Sequence, residues 1–161
     1  LNNYDVIEGF VPLGNEIIKE LGGDIDAFCD TIGTAGTLMG IAKSFKNEGI
    51  NCEIVALEPA SSPILSKGTK GAHNVEGVGL GFIPALYNPE YVHKVIAIEE
   101  STARKTCRDL AIREGIFCGT SSGMNVAGAL QLSKDLGPKS RVVAVACDTG
   151  LKYLSEELFD F

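Results

Sequence analysis

Apolar positions along the chain switch repeatedly between a period near four residues and short unbroken runs, and the switches mark the elements. In residues 15–22 (NEIIKELG), Ile17, Ile18 and Leu21 are followed by a glycine pair, which predicts a short helix with a glycine stop. The mostly apolar run 26–32 (DAFCDTI) predicts a buried strand, and Leu38, Ile41, Ala42 and Phe45 then recur at helical spacing. Residues 53–57 (EIVAL) predict a second short strand, closed by Glu58-Pro59. Glycines at 68, 71, 77, 79 and 81 and prolines at 84 and 89 make residues 67–90 an irregular excursion, and a loop of that length in a compact domain usually serves function. Order resumes with a strand over 92–98 and a helix opened by Ser101-Thr102, with Ala103, Cys107, Leu110 and Ala111 on its apolar side and Gly115 as its stop. A helix over about 125–134 and a nearly all-apolar strand over 141–147 complete the pattern.

Strands alternating with helices predict an α/β fold, a parallel twisted sheet with helices on both faces, built as a single domain over residues 1–161. The run Val142-Val143-Ala144-Val145-Ala146 is apolar enough to belong in the middle of the sheet. Ligands of such sheets bind at the carboxyl ends of the strands, where Gly33–Thr37 and Asp148–Gly150 both fall.

Composition narrows the partners. Net charge is -7, with no stripe of lysine and arginine, so nucleic acid and anionic membranes are poor partners. Five widely spaced cysteines without a C-x-x-C pair read as free thiols and argue against a metal site. With no apolar run near the length of a bilayer and no leader, a cytoplasmic protein is expected. The chain opens on Leu1 rather than methionine, which leaves room for a longer parent, a proteolytic origin or a natural half-length protein.

Gly33-Thr34-Ala35-Gly36-Thr37 sits between a buried strand and a helix. Its glycines permit close backbone approach, its amides face the positive end of the helix, and its hydroxyls add donors, so a phosphate dianion suits it. It is neither a Walker loop nor a G-x-G-x-x-G turn. A tight turn with glycines placed for packing is the competing reading. His73 and His93 lack metal-ligand spacing, and Ser121 and Ser122 lack the frame of a nucleophile elbow.

This loop resembles the G-T-G-G-T phosphate cradle of pyridoxal 5'-phosphate enzymes of the tryptophan synthase β-subunit fold, and within them the cysteine synthase (O-acetylserine sulfhydrylase) family. The similarity continues through Glu58–Ser66, Glu76–Pro84, Glu114–Ile116 with Gly119–Gly123, and Asp148–Gly150 with Tyr153–Ser155, which with the loop make five blocks in the family's order. The resemblance implies the larger domain of that fold, incomplete, and the C-terminal half of a longer enzyme that replaces the acetyl group of O-acetylserine with sulfide. Cystathionine-forming relatives and serine or threonine dehydratases are the alternatives inside the family; a non-catalytic phosphate-ligand or partner-binding module is the alternative outside it.

The resemblance also assigns roles. Gly33, Thr34, Ala35, Gly36 and Thr37 would hold the cofactor phosphate, Gly77 and Val78 would lie against the ring, and Thr149 would hydrogen-bond the pyridine nitrogen, with Asp148 as the rival for that place. Ala35 departs from the family's glycine, and its methyl fits provided φ is negative. Gly119–Gly123 is expected to be a close-packing turn behind the cofactor. In the family the Schiff-base lysine and the loop that grips the substrate carboxylate precede the cradle, but only Lys19 lies among the 32 residues before Gly33, on the predicted first helix. Lys43, Lys67 and Lys152 read as solvated charge. No catalytic residue is therefore assigned, and the isolated chain is expected to be inactive. Its expected partners are the N-terminal half of the same enzyme, a small amino-acid substrate and a second copy in a homodimer.

Overall fold

The computed structural model describes residues 2–159, so Leu1 lies outside the described residues. The first element, α1 (Asp5–Leu21), starts about ten residues earlier than its apolar spacing predicts. Gly9 and Pro12 hide the first turns from a propensity reading, yet Val6, Ile7, Leu13, Ile17, Ile18 and Leu21 form one stripe that packs on the core. Tertiary burial of that stripe overrides the proline. The helix ends where expected, with Gly22 in the left-handed region at φ 67°.

Four parallel strands form the sheet: β1 (Ala27–Thr31), β2 (Glu53–Pro59), β3 (Lys94–Ile98) and β4 (Val142–Ala144), in the order β3-β2-β1-β4. Register runs from Ala27 opposite Glu53 and Val142 on either side of β1, and from Val55 opposite Lys94. Alternate residues of the central strands feed two cores. Phe28, Ile54 and Ala56 pack with Leu38, Ile41, Ala42 and Phe45 of α2 (Gly36–Asn47), while Ala27, Cys29, Val55 and Leu57 meet α4 (Glu100–Asp109) and α5 (Thr120–Leu136) through Ala103, Met124, Ala127 and Leu132. Each large side chain buried this way contributes about 1.5–3 kcal/mol. Helices thus cover both faces, as the alternating pattern predicts.

Two expectations change. Residues 141–147 shorten to a strand of three residues, and β4 lies at the edge of the sheet rather than in its middle. The apolarity of Val142–Val145 is that of a strand with a neighbour on each side, but among the described residues β4 pairs with β1 alone, and its side chains stay half-buried. Residues 69–88 carry no helix or strand, and α3 (Ile64–Lys67) is a single turn before them. The buried Glu58 at the end of β2 fastens that turn, its carboxylate accepting the Leu65 and Ser66 amides at 2.7 and 3.1 Å.

Candidate cofactor site

The loop between β1 and α2 bends sharply at Ala35, whose φ is +69°. This corrects the expectation of negative φ, and the methyl is carried in a left-handed conformation that favours glycine. The bend turns the first amides of α2 upward. The Ala35 carbonyl accepts the first helical bond, from the Met39 amide at 3.0 Å, and the Gly36 amide is taken by the Thr34 hydroxyl at 3.3 Å. The Thr37 and Leu38 amides precede any helical acceptor and so remain donors for a ligand. Thr34 and Thr37 are half-buried at the rim.

A second loop is pressed onto the first. Gly79 donates its amide to the Ile32 carbonyl at 3.0 Å, and a Cβ at Gly33 would run into the Gly77 carbonyl oxygen, so glycine at 33 is a requirement of the close approach. Between the loops lies a cavity of about 350 Å³, within the range of small-ligand sites. Gly33, Thr34, Ala35, Gly36, Thr37, Gly77 and Val78 all line it.

Its far wall comes from three other elements. Asp30 and Thr31 stand at the end of β1, Ser121 at the start of α5, and Cys147, Asp148, Lys152 and Tyr153 on the segment after β4. Asp148 accepts the Tyr153 hydroxyl at 2.8 Å and the Lys152 ammonium at 3.3 Å. Burial, and the neighbouring Asp148 carboxylate, raise the Tyr153 phenol well above its ordinary range. Burial likewise pushes the Asp30 carboxyl up to about 7, opposed in part by the Asn125 amide and the Thr31 N–H. The Cys147 thiol is pushed up to about 11 by burial first and the Asp30 charge second, so it is a poor nucleophile near neutrality.

Thr149 is the predicted site residue that the structure leaves outside the cavity lining. It pairs with Cys118 in an isolated antiparallel bridge, and its hydroxyl accepts the Leu151 amide at 3.3 Å to cap the short helical turn Gly150–Tyr153. That bond uses the hydroxyl as an acceptor only, so its own O–H remains a donor. Asp30, Thr31 and Cys147 line the cavity without having been singled out as site residues in the sequence, where they look ordinary until folding brings their elements together, and Lys152, read as solvated charge, stays exposed at its rim. Lys19 is exposed on α1 and is not among the lining residues.

The remaining motif residues do structural work. Gly119 and Gly123 lack room for a side chain, against Asp148 and against the Ala103 carbonyl and Cys107 respectively, and the Ser122 hydroxyl accepts the Cys147 amide at 2.8 Å. His73 bonds the Gly79 carbonyl at 3.0 Å, and His93 accepts the Ile54 amide at 2.9 Å. Among the described residues no group of histidine, cysteine, aspartate or glutamate could hold a metal ion, and no helix is long and apolar enough to cross a membrane.

The family of pyridoxal-phosphate dependent enzymes matches residues 1–148. This chain belongs to that family. It is 43% identical over 149 residues to a cysteine synthase of Staphylococcus aureus, covering 92% of this chain and 48% of the relative, and 39% identical over 144 residues to cysteine synthase B of Campylobacter jejuni, covering 89% and 48%. Among solved structures, cysteine synthase of Entamoeba histolytica superposes with a TM-score of 0.94 at 32% identity, over 99% of this chain and 48% of that one. A hydrogen sulfide-producing enzyme of Fusobacterium nucleatum gives 0.91 at 39% identity, over 98% and 48%. The chain spans about half the length of the curated relatives it matches.

The cofactor of the family is pyridoxal 5'-phosphate, and the residues here suit it. Free amides at the N-terminus of α2 and two rim hydroxyls fit a phosphate group.

Proposed function

We propose that this chain is the C-terminal half of a cysteine synthase, the cofactor-phosphate-binding domain (residues 1–161) of an enzyme that makes cysteine from O-acetylserine and sulfide by β-replacement. The observation that supports this most directly is the cradle itself, with unbonded α2 amides and the Gly77-Val78 loop enclosing one cavity in a chain similar to cysteine synthases along nearly all its length. When bound, pyridoxal 5'-phosphate supplies the electron sink for loss of the β-substituent of a serine derivative.

In this reading Gly33, Thr34, Ala35, Gly36 and Thr37 hold the phosphate through amides and hydroxyls. Gly77 and Val78 flank the ring, the buried Val78 side chain keeping water from one side of it. The Schiff-base lysine and the grip on the substrate carboxylate come from the N-terminal half, which also supplies a neighbour for β4. A homodimer in the cytoplasm, acting on a small amino acid, completes the reading, and the five free cysteines accord with a reducing compartment.

Reconstitution tests it. The 161-residue chain alone gives no cysteine from O-acetylserine, sulfide and added cofactor, and mixing it with a polypeptide carrying the N-terminal half restores synthesis. Turnover by the chain alone, or none from the mixture, contradicts the proposal.

A further inference from the structure

The turn that brings Gly77 and Val78 to the cavity is closed on itself. At its two ends, the imidazole Nε2 of His73 and the Gly79 carbonyl lie 3.0 Å apart. A carbonyl oxygen only accepts, so Nε2 carries the proton and donates it. Nδ1 of the same ring is then an acceptor, and among the described residues it is buried without a partner. An unpaired buried polar atom is costly, and the fold bears that cost at a residue whose other nitrogen closes the turn.

The ends of the turn are tied on every side. Next to His73, the Asn74 amide donates to Glu100 of α4 at 2.9 Å, and Glu100 is itself held by Arg104 at 2.9 Å. Val75 is buried in the core below. Gly79 uses both of its polar groups: its carbonyl takes His73, and its amide goes to the Ile32 carbonyl beside the cradle at 3.0 Å. Its φ of +59° and the imidazole against its Cα leave no room for a side chain. The crest is different. Among the described residues neither Glu76 nor Gly77 makes a hydrogen bond, yet both line the cavity with Val78. The position of that wall is therefore set from the ends of the turn.

Resting on the cofactor reading above, we infer that His73 is a positioning residue for the cofactor, closing the turn through Gly79 so that Gly77 and Val78 are set against the ring. His73 is not among the residues lining the cavity and acts only through Gly79. The cradle hangs on other groups, the first amides of α2, so the two ends of the cavity respond differently when the clasp is lost. Without the donor the crest is free to move away from Gly33, which opens the ring side and leaves the phosphate side in place.

The test uses the full 161-residue chain with pyridoxal 5'-phosphate and inorganic phosphate as separate probes in equilibrium dialysis. His73→Leu removes the donor and is expected to weaken pyridoxal 5'-phosphate about tenfold and inorganic phosphate less than about twofold. His73→Gln offers an amide N–H at a similar reach and is expected to bring cofactor binding back to within about threefold of the parent chain. Hydrogen exchange locates the effect: in His73→Leu the Gly79 amide exchanges at least about tenfold faster, while the β1 amides stay within about threefold of the parent rate. Where circular dichroism shows His73→Leu unfolded, His73→Asn replaces it with the same outcomes expected, since its shorter amide falls short of Gly79. Unchanged cofactor binding, an equal loss for both probes, faster exchange throughout β1, or no recovery in His73→Gln overturns the role of His73 and leaves the cradle standing. If the parent chain binds no pyridoxal 5'-phosphate, the cofactor reading fails and the inference falls with it.

Discussion

Asp30 shows how a residue's surroundings set its chemistry. Its carboxyl holds a proton up to about pH 7 in the folded chain but only to the ordinary value of 3.8 when unfolded. Between those values the folded state binds more protons, so stability falls as pH rises from about 4 to about 7 and levels off above. Asp30→Asn removes that fall, an effect on the order of 3 kcal/mol for a group this buried, seen as a flatter difference between urea unfolding at about pH 5 and about pH 8. Ala35 is the second residue with a stated cost. At φ +69° its methyl is strained, and Ala35→Gly is expected to raise stability by about 1 kcal/mol in thermal or urea unfolding, net of the freedom glycine regains when unfolded. The loop at Gly33–Thr37 was legible in sequence as a strand-to-helix turn, but its two glycines and two threonines fit a tight packing turn equally well, and only the neighbouring blocks that resemble the family favoured a phosphate. The sign of φ at Ala35, the cap that Thr149 makes on Leu151 and the convergence of Asp30 with Lys152 were not, because each depends on how the chain folds around them.

At the scale of elements, the central strands and α2 were read within a few residues, since β1 and β2 are almost wholly buried and their sequences are mostly apolar. Helix starts were read late. The first turns of α1 contain Gly9 and Pro12, and α5 begins at Thr120 among residues that favour turns, so packing rather than propensity extends both. The block Glu58–Ser66 served as a family signature and turns out to be a fastening. Because Glu58 is buried and accepts two amides of α3, Glu58→Ala is expected to cost about 2 kcal/mol in thermal unfolding and to loosen the turn before the long loop, which proteolysis within 67–90 would report. Unchanged stability would mean the amides find other acceptors.

At the scale of the whole molecule, the sheet ends in β4 on the side nearest the cavity's far wall. Among the described residues β4 is flanked on one side only, and Ile112, Ile116, Leu151 and Leu154 lie exposed, apolar surface of the kind that marks a contact with another surface. The sequence placed β4 centrally because its run is apolar throughout, whereas among the described residues only β1 lies beside it. The central claim is that the cradle at Gly33–Thr37 holds the phosphate of pyridoxal 5'-phosphate. The most direct test is the 31P resonance of the cofactor followed from about pH 6 to about pH 8 with the chain in excess. A phosphate held by the α2 amides stays a dianion and its shift stays constant across that range, as the N-terminus of a helix favours the charged form. A resonance that titrates as the free cofactor does would contradict the account.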